Sequence, residues 1–390
     1  MTSLVNRILC RVSLGLITAA AVTTAAAQHS EIGPTTDAQV QSQNKTKIAL
    51  IVSPKGSVLS EAAAPIQQGI LAASREATAS GACELIQYEL SSPQDAGAVL
   101  KKAADDGAVL AIGPVSRDAV QTISEMPYLP LPVVAINRPS GETAPELFLS
   151  IDISAESEVD QLAKIAVENT AQKTDLAANN FVILTTQDPY DERLARVMEA
   201  ALIKAGAGAE RRHISSDQIA YLRQEMRGKA FRGVFFAMNA QNASLLRPYL
   251  PPELPVFGTS YTNPMHQKDS MLAKTQANDL NGMITLEIPA EENASTLVAQ
   301  YKGDRENLSP EELQMFSVGV DAWQLGTKWI DWARRIEVPN GLTGRLSFDK
   351  DNGSKVKREL VKTVVSPNKT GKTSEEDLVQ FTESAEEAGL

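Results

Sequence analysis

Short apolar runs that alternate with helical stretches constrain the fold of this chain more than any other feature. Residues 48–52 form a continuous apolar run, which is typical of a strand buried on both faces of a parallel sheet. Turn-forming residues 53–57 follow it, and an alanine-rich helical stretch then reaches about residue 80. Strand and helix recur in this order as far as residue 136. The alternation predicts βαβ units and an α/β fold of doubly wound sheets with helices on both faces.

A second sheet is predicted beyond residue 152, where the pattern of strands and helices restarts. A helix over 156–170 precedes a strand at 181–186, and a helix over 192–205 follows that strand. We therefore expect two sheets rather than one long sheet. The remaining strands of this half are predicted near 211–214, 233–237 and 255–259.

The N-terminus matches a secretory signal peptide. Arg7 and Arg11 precede an apolar run at 12–22, and Ala25-Ala26-Ala27 supplies a small-residue cleavage site. The run is too short to span a bilayer, so we expect cleavage near Ala27 and a secreted mature chain. Cys10 lies before the apolar run rather than after it, which disfavours a lipid anchor.

Polar segments flank the region that is predicted to fold. Residues 28–45 contain almost no large apolar side chains, so we predict a flexible leader there. From residue 366 the chain becomes polar and acidic, with Glu375, Glu376 and Asp377 among its residues. We predict that this tail, residues 366–390, is disordered.

The charge balance disfavours nucleic acid as a partner. The full chain has a net charge of −11, and removing the two arginines of the signal peptide takes the mature chain to −13. Binding of DNA or RNA needs a basic face that displaces counterions. Outside the signal peptide, no stretch approaches the roughly 18 apolar residues of a membrane-spanning helix. We expect no transmembrane segment in the mature chain.

Four side chains are predicted to have packing roles. Cys83 is the only cysteine of the mature chain, so we expect no internal disulfide. It lies in an alternating stretch typical of a strand, where a buried cysteine packs like a small apolar side chain. A helix near 310–335 carries Phe316, Trp323 and Trp329 roughly on one face, which favours a place in the core.

The sequence offers little for catalysis or metal binding. Its three histidines, His29, His213 and His266, are too scattered for a zinc motif, and a Ser-His-Asp triad would depend on one of the last two. Gly371-Lys372-Thr373 is similar to the end of a phosphate-binding loop, but Ser366 stands where the first glycine is needed. We predict a protein that is not an enzyme and has no cofactor, metal site or catalytic residues.

Polar loops after the predicted strands are the candidate binding sites, because open α/β sheets bind ligands at the carboxyl ends of their strands. In the loop after 108–112, Ser116 and the first amides of a helix could hold an anion. Capping of that helix by Ser116 explains the same residue as simply. The candidates are Ser53, Ser57, Pro114, Ser116, Asn137 and Arg138 in the first half, and Asp188, Tyr190, Asn239, Ser260 and Tyr261 in the second.

Several motifs carry a family resemblance. The most specific is Gly341-Leu342-Thr343-Gly344-Arg345-Leu346-Ser347, with Arg358-Glu359-Leu360 downstream. These motifs resemble the LppC-type penicillin-binding protein activator family, which has the fold of type 1 periplasmic binding proteins. The resemblance covers about residues 47–365 and includes the segments 47–54, 62–73, 111–114, 131–137 and 279–282.

The resemblance implies two doubly wound lobes with a hinge and an interlobe cleft. It places lobe 1 at residues 46–148 and about 262–338, and lobe 2 at residues 149–261 and about 339–365. It also implies a non-catalytic periplasmic protein that activates a class A penicillin-binding protein, a peptidoglycan synthase, by protein contact. An association with the outer membrane stays open.

The alternative function is solute binding for an ABC transporter of amino-acid-like ligands, since such proteins close the same two lobes on a small polar ligand. Ser116, Asn137, Tyr190 and Tyr261 could supply polar contacts in the cleft, and Arg138 could pair with a carboxylate. The residues do not form a convincing constellation for both the carboxylate and the ammonium of an amino acid. A small polar ligand in the cleft remains a second candidate beside the synthase.

Overall fold

The computed structural model describes residues 45–141, 143–171, 180–215, 218–226, 231–266, 270–292, 300–305, 308–330 and 333–367. The predicted signal peptide, the leader up to residue 44 and the acidic tail from residue 368 lie outside the described residues. His29 lies outside them as well.

The first sheet is formed by the strands β1 (Thr46–Val52), β2 (Cys83–Glu89), β3 (Ala108–Ile112), β4 (Val133–Ile136), β5 (Phe148–Ile151), β11 (Arg335–Gly341), β12 (Gly344–Asp349) and β13 (Lys355–Glu359). Their order across the sheet is β11-β12-β13-β5-β4-β3-β1-β2. Neighbours from β13 to β2 run parallel, whereas β12 pairs antiparallel with β11 and β13. Parallel strands covered on both faces explain the continuous apolar runs of β1, β3 and β4.

The second sheet is formed by the strands β6 (Asn180–Thr185), β7 (Gly208–His213), β8 (Val234–Ala237), β9 (Val256–Gly258), β10 (Ile284–Glu287) and β14 (Val361–Val364). Their order is β14-β10-β9-β8-β6-β7, and only the pairing of β14 with β10 is antiparallel. The prediction of two sheets in an α/β fold is therefore confirmed.

Helices cover both faces of each sheet, as doubly wound topology requires. In the second sheet, Phe181 and Ile183 pack against one set of helices, while Val182 and Leu184 pack against the other set. The α-helices are α1 (Val58–Ala79), α2 (Ala96–Asp105), α3 (Arg117–Ser124), α4 (Val159–Asn169), α5 (Pro189–Lys204), α6 (Ile219–Met226), α7 (Ala240–Leu246), α8 (Ser270–Asp279), α9 (Pro289–Glu292), α10 (Lys302–Arg305) and α11 (Pro310–Trp329).

The long helices α1 and α11 pack together and contact the cores of both sheets. Trp323 and Trp329 of α11 are buried in the core under the first sheet. Phe316, nearer the start of α11, belongs to the core of the second sheet. Cys83 is also buried. The predicted packing roles of these four side chains are confirmed.

The predicted lobe boundaries need correction. We define lobe 1 as the first sheet with α1–α3 and α11, and lobe 2 as the second sheet with α4–α8. Residues 262–338 were predicted in lobe 1, but β10 pairs with β9 in lobe 2. Residues 339–365 were predicted in lobe 2, but β12 and β13 belong to lobe 1 and only β14 to lobe 2. Periodicity predicts a strand without specifying its distant partner, which explains both errors.

The strand order makes the chain cross between the lobes after β5, after β10 and after β13. The first crossing carries a short 3-10 helix, Ala155–Glu158, that leads into α4. Phe148 and the rest of β5 lie in lobe 1, so this crossing starts after Ile151 rather than at the predicted residue 149. The crossings bring polar side chains of both lobes together.

Candidate functional site

The candidates of lobe 1 lie after β1, β3 and β4, and most of them contact their own loops. Ser57 caps α1 by accepting a hydrogen bond from the amide of Ser60 at 3.1 Å. Ser116 caps α3 by accepting one from the amide of Ala119 at 3.4 Å. Asn137 donates from Nδ2 to the carbonyl of Val115 at 3.2 Å, which ties the loop after β4 to the loop after β3.

A small cavity lies behind these loops of lobe 1. Ser53 and Gly113 are among its lining residues, and its volume is only about 10 Å³. A cavity of this size holds about one water molecule. Pro114, which follows Gly113 through a cis peptide bond, is buried beside it. This space cannot accept an amino acid.

Two candidates of lobe 2 are also helix caps. Asp188 caps α5 and accepts a hydrogen bond from the amide of Tyr190 at 2.8 Å. Asn239 caps α7 and accepts one from the amide of Asn242 at 2.9 Å. Such caps stabilise a helix start without requiring a ligand.

A buried glutamate of the first crossing joins the two lobes. The Glu156 side chain is 1% exposed, and its Oε2 lies 3.7 Å from Nη2 of Arg138, which follows β4 in lobe 1. Its Oε1 accepts a hydrogen bond from Nε of Arg193, in α5 of lobe 2. Arg138 also lies 3.4 Å from Oδ2 of Asp152. One carboxylate is therefore shared between an arginine of each lobe.

A second glutamate of the same 3-10 helix binds the loop after β9. Glu158 is buried and accepts hydrogen bonds from the amide of Ser260, at 2.7 Å, and from its hydroxyl. The neighbouring Ser157 hydroxyl accepts a hydrogen bond from Nη2 of Arg358 at 2.9 Å. Burial raises the pKa of Glu158 and lowers the pKa of Arg358, whereas their opposite charges act against both shifts.

We call these charged residues the hinge network: Arg138, Asp152, Glu156, Glu158, Arg193 and Arg358. It holds three arginines and three carboxylates, so its charges balance. Buried charges need such pairing, because an isolated buried ion is costly.

Two tyrosines stack beside the hinge network. The rings of Tyr190 and Tyr261 meet edge to face with centroids 4.9 Å apart, and the Arg193 guanidinium lies 5.0 Å from the Tyr190 ring centre. Burial raises the pKa of both tyrosines to about 12, and the charges of Glu156 and Asp191 add to the shift at Tyr190 and Tyr261 respectively. Both hydroxyls are therefore protonated at neutral pH.

Four residues of the hinge network were not among the predicted site residues: Glu156, Glu158, Arg193 and Arg358. Their partners are distant in the chain: Arg193 is 37 residues from Glu156, and Ser260 is 102 residues from Glu158. One local signal existed, because Glu156 and Glu158 follow a buried strand at a lobe transition, where charged side chains need partners.

The capping and anion-binding interpretations of Ser116 predict different results. We expect Ser116→Ala to lower the free energy of unfolding by about 1 kcal/mol, as for a lost helix cap. Ser116→Asp should keep wild-type stability within about 0.5 kcal/mol because aspartate also caps helices. Denaturant unfolding with and without phosphate measures both effects. Stabilisation of the wild type, but not of Ser116→Asp, by phosphate would contradict pure capping.

Comparisons with known proteins agree on the fold. No family model matches the chain, and no curated protein matches it. Among solved structures, a protein from Chromobacterium violaceum assigned to a branched-chain amino acid ABC transporter is 22% identical, with a TM-score of 0.66. The match covers 82% of this chain and 100% of that one. The chain has the type 1 periplasmic-binding fold.

The C-domain of LpoA from Haemophilus influenzae, a regulator of PBP1A, has the same fold. It is 17% identical with a TM-score of 0.63, over 82% of this chain and 98% of the domain. Full-length LpoA of that organism is matched over 84% of this chain and 58% of its own length, at 17% identity and a TM-score of 0.64. The chain therefore spans a little over half of full-length LpoA.

Within the described residues, no group of three or more histidine, cysteine or acidic side chains lies close enough together to hold a metal ion. The helices described there include none with the length and apolar character of a membrane span.

Proposed function

We propose that this chain is a non-catalytic periplasmic regulator that activates a class A penicillin-binding protein, and so peptidoglycan synthesis, by protein contact. The observation that carries the proposal is the hinge network, in which the Glu156 carboxylate lies between Arg138 of lobe 1 and Arg193 of lobe 2. Arg138, the sequence candidate for a ligand carboxylate, contacts Asp152 and Glu156 instead. A receptor for a zwitterionic solute needs charged groups that face the ligand.

The similarity to LpoA supports the same proposal. The chain corresponds to nearly all of the C-domain of that regulator, so the shared part includes both lobes. The motif Arg358-Glu359-Leu360, which carries the family resemblance, places Arg358 in the hinge network. A residue specific to the resemblance therefore lies where the lobes are joined.

Solute binding for an ABC transporter is the second candidate function. The similarity to the Chromobacterium violaceum protein favours it, at a slightly higher identity and TM-score. The partly buried rings of Tyr190 and Tyr261 and the exposed side chain of Asp188 could contact a small polar ligand. Fold alone does not separate the two functions.

An activity assay on purified components tests the proposal. The mature chain, residues 28–390, is immobilised and exposed to envelope extract, and any class A penicillin-binding protein that it retains is purified. We expect the chain to raise the rate of glycan polymerisation or crosslinking by that synthase in a saturable way. A leucine-binding protein of the same fold is the control and should leave the rate unchanged.

Solute binding predicts that a small ligand stabilises the folded protein. A ligand at 100 times its Kd stabilises a receptor by about 2.7 kcal/mol, which a thermal shift assay detects readily. An increase in Tm with an amino acid, combined with no retained synthase, would establish solute binding. Absence of both retention and activation would overturn the activator proposal.

A further inference from the structure

The third crossing between the lobes consists of a single residue. β13 ends at Glu359 in lobe 1 and β14 starts at Val361 in lobe 2, so only Leu360 separates the two strands. Rotation of one domain against another is absorbed by dihedral angles of the segments that join them. A rotation of the two lobes would therefore have to move the backbone at Leu360.

One side chain of lobe 2 holds both backbone groups of Leu360. Oε1 of Gln161, in α4, accepts a hydrogen bond from the Leu360 amide at 3.0 Å. Nε2 of the same side chain donates to the Leu360 carbonyl at 2.7 Å. Leu360 itself is buried in the core of lobe 2, where backbone polar groups need such partners. Rotation of the chain at Leu360 would break both hydrogen bonds at once.

The first crossing is bound to the third at a second point. Arg358 of β13 donates from Nη2 to the hydroxyl of Ser157 at 2.9 Å. Ser157 belongs to the 3-10 helix of the first crossing, and α4 with Gln161 follows that helix directly. These two crossings therefore cannot move independently of each other.

The second crossing is held by a loop of lobe 1. The amide of Ala290, just after β10, donates to the carbonyl of Leu342 at 3.2 Å. Leu342 lies between β11 and β12 of lobe 1, but its side chain packs in the core of lobe 2 with Ile288 and Ala290. Each of the three crossings thus has a contact that a change of lobe orientation would break.

We propose that Gln161 is a clamp on Leu360 and that, together with the contacts of the other two crossings, it fixes the lobes in one relative orientation. The chain then presents a two-lobed surface of constant shape instead of closing on a ligand by hinge motion. The proposal does not depend on the proposed function, because it concerns this chain alone and its tests contain no synthase.

Hydrogen exchange of backbone amides tests the clamp. In Gln161→Ala the Leu360 amide loses its acceptor and should exchange faster whether or not the lobes move. The amide of Ala290 is more informative because it donates to Leu342, in a different crossing. If Gln161 fixes the lobes, exchange at Ala290 should also become faster, on the order of tenfold, as expected for the loss of two hydrogen bonds. Faster exchange at Leu360 alone would overturn the proposal.

Matched variants separate the clamp from general destabilisation. Gln161→Glu keeps an acceptor for the Leu360 amide but loses the donor to its carbonyl, so it should accelerate exchange at Ala290 less than Gln161→Ala does. Lys164→Ala, at an exposed position of the same helix, should change neither amide. The amide of Ile183, in the buried strand β6, is the reference for global unfolding. Equal acceleration at Ile183 and Ala290 would also overturn the clamp.

A distance measurement between the lobes needs no variant of the clamp. Spin labels are attached at Val58→Cys and Tyr221→Cys, which lie near the starts of α1 in lobe 1 and α6 in lobe 2 and are 85% and 62% exposed. Cys83 is buried and should stay unlabelled. We expect double electron–electron resonance to give one narrow distance distribution. Two resolved distances, or a shift of the distance when an amino acid is added, would overturn the fixed orientation.

Discussion

Replacing Gly319 with alanine is expected to lower the free energy of unfolding by about 3 kcal/mol or more, the cost of severe overpacking. A Cβ atom at Gly319 would lie 2.0 Å from the carbonyl oxygen of Ile66 in α1. A Cβ atom at Gly69 would lie equally close to the carbonyl oxygen of Phe316 in α11. Backbone atoms cannot move aside by changing rotamer, so α1 and α11 would have to separate.

A third helical glycine provides the control. At Gly97 in α2 the nearest atom to a new Cβ is the flexible end of Met126, at 3.4 Å. Gly97→Ala should therefore be neutral or stabilising by up to about 1 kcal/mol, following helix propensity. Denaturant unfolding of both variants gives the comparison. Wild-type stability of Gly319→Ala would show that the two helix backbones are not in contact.

The packing of α1 on α11 matters beyond stability because both helices reach the two cores. Ile66 and Ile70 of α1 lie in the core of lobe 1, and Ala72 lies in the core of lobe 2. In α11, Phe316 lies in the core of lobe 2 and Trp323 lies in the core of lobe 1. Side chains on the two helices thus connect the lobes through packing, while the hinge network connects them through charge.

Local patterns predicted most elements of this fold. The apolar runs of β1, β3 and β4 mark strands that are buried on both faces, and turn residues mark the loops between them. Capping by Ser116 was predicted as one of two alternatives, whereas Ser57, Asp188 and Asn239 were predicted as binding candidates and cap the helices that follow them. These features depend on residues only a few positions apart.

The lobe boundaries and the hinge network depend on distant residues instead. β10 is four residues long, and nothing within it indicates that its neighbours are β9 and β14. In the sequence, Glu156 is an acidic residue near the start of a helix, which is a common position for glutamate. Its contacts with Arg138 and Arg193 exist only in the folded chain. The sequence contains the charges, but only the folded chain shows which of them are paired.

The second large effect is expected at Asp321, a buried carboxylate in α11. Its Oδ1 accepts a hydrogen bond from the amide of Leu342, and its Oδ2 accepts from the amide and hydroxyl of Thr343, at 2.6 to 2.8 Å. The loop that it holds joins β11 to β12 in lobe 1, yet Leu342 packs in the core of lobe 2. Asp321 therefore fixes a contact between the lobes within the motif that carries the family resemblance.

Replacing Asp321 with alanine leaves the buried donors of the loop without an acceptor. Since each unsatisfied buried donor costs about 1–3 kcal/mol, we expect a loss of about 3 kcal/mol at pH 5. Thr343→Val removes only the hydroxyl donor and should cost about 1 kcal/mol. Asp279→Ala, at an exposed position of α8, is the control and should stay within about 0.5 kcal/mol of wild type.

The loss caused by Asp321→Ala should also depend on pH. Burial raises the pKa of Asp321 from 3.8 to about 6, although its hydrogen bonds oppose the shift. The folded chain thus binds this proton more tightly than the unfolded chain, so the stabilising effect of protonation is complete below the ordinary pKa and is lost as the pH rises through about 6. The free energy of unfolding of the wild type should therefore fall between pH 4 and pH 7, whereas that of the alanine variant has no contribution from this group. The difference in unfolding free energy between the two proteins should narrow by about 2 kcal/mol over that range. Denaturant unfolding across that range measures the difference, and a gap that widens with pH would show that hydrogen bonding, rather than burial, sets the pKa of Asp321.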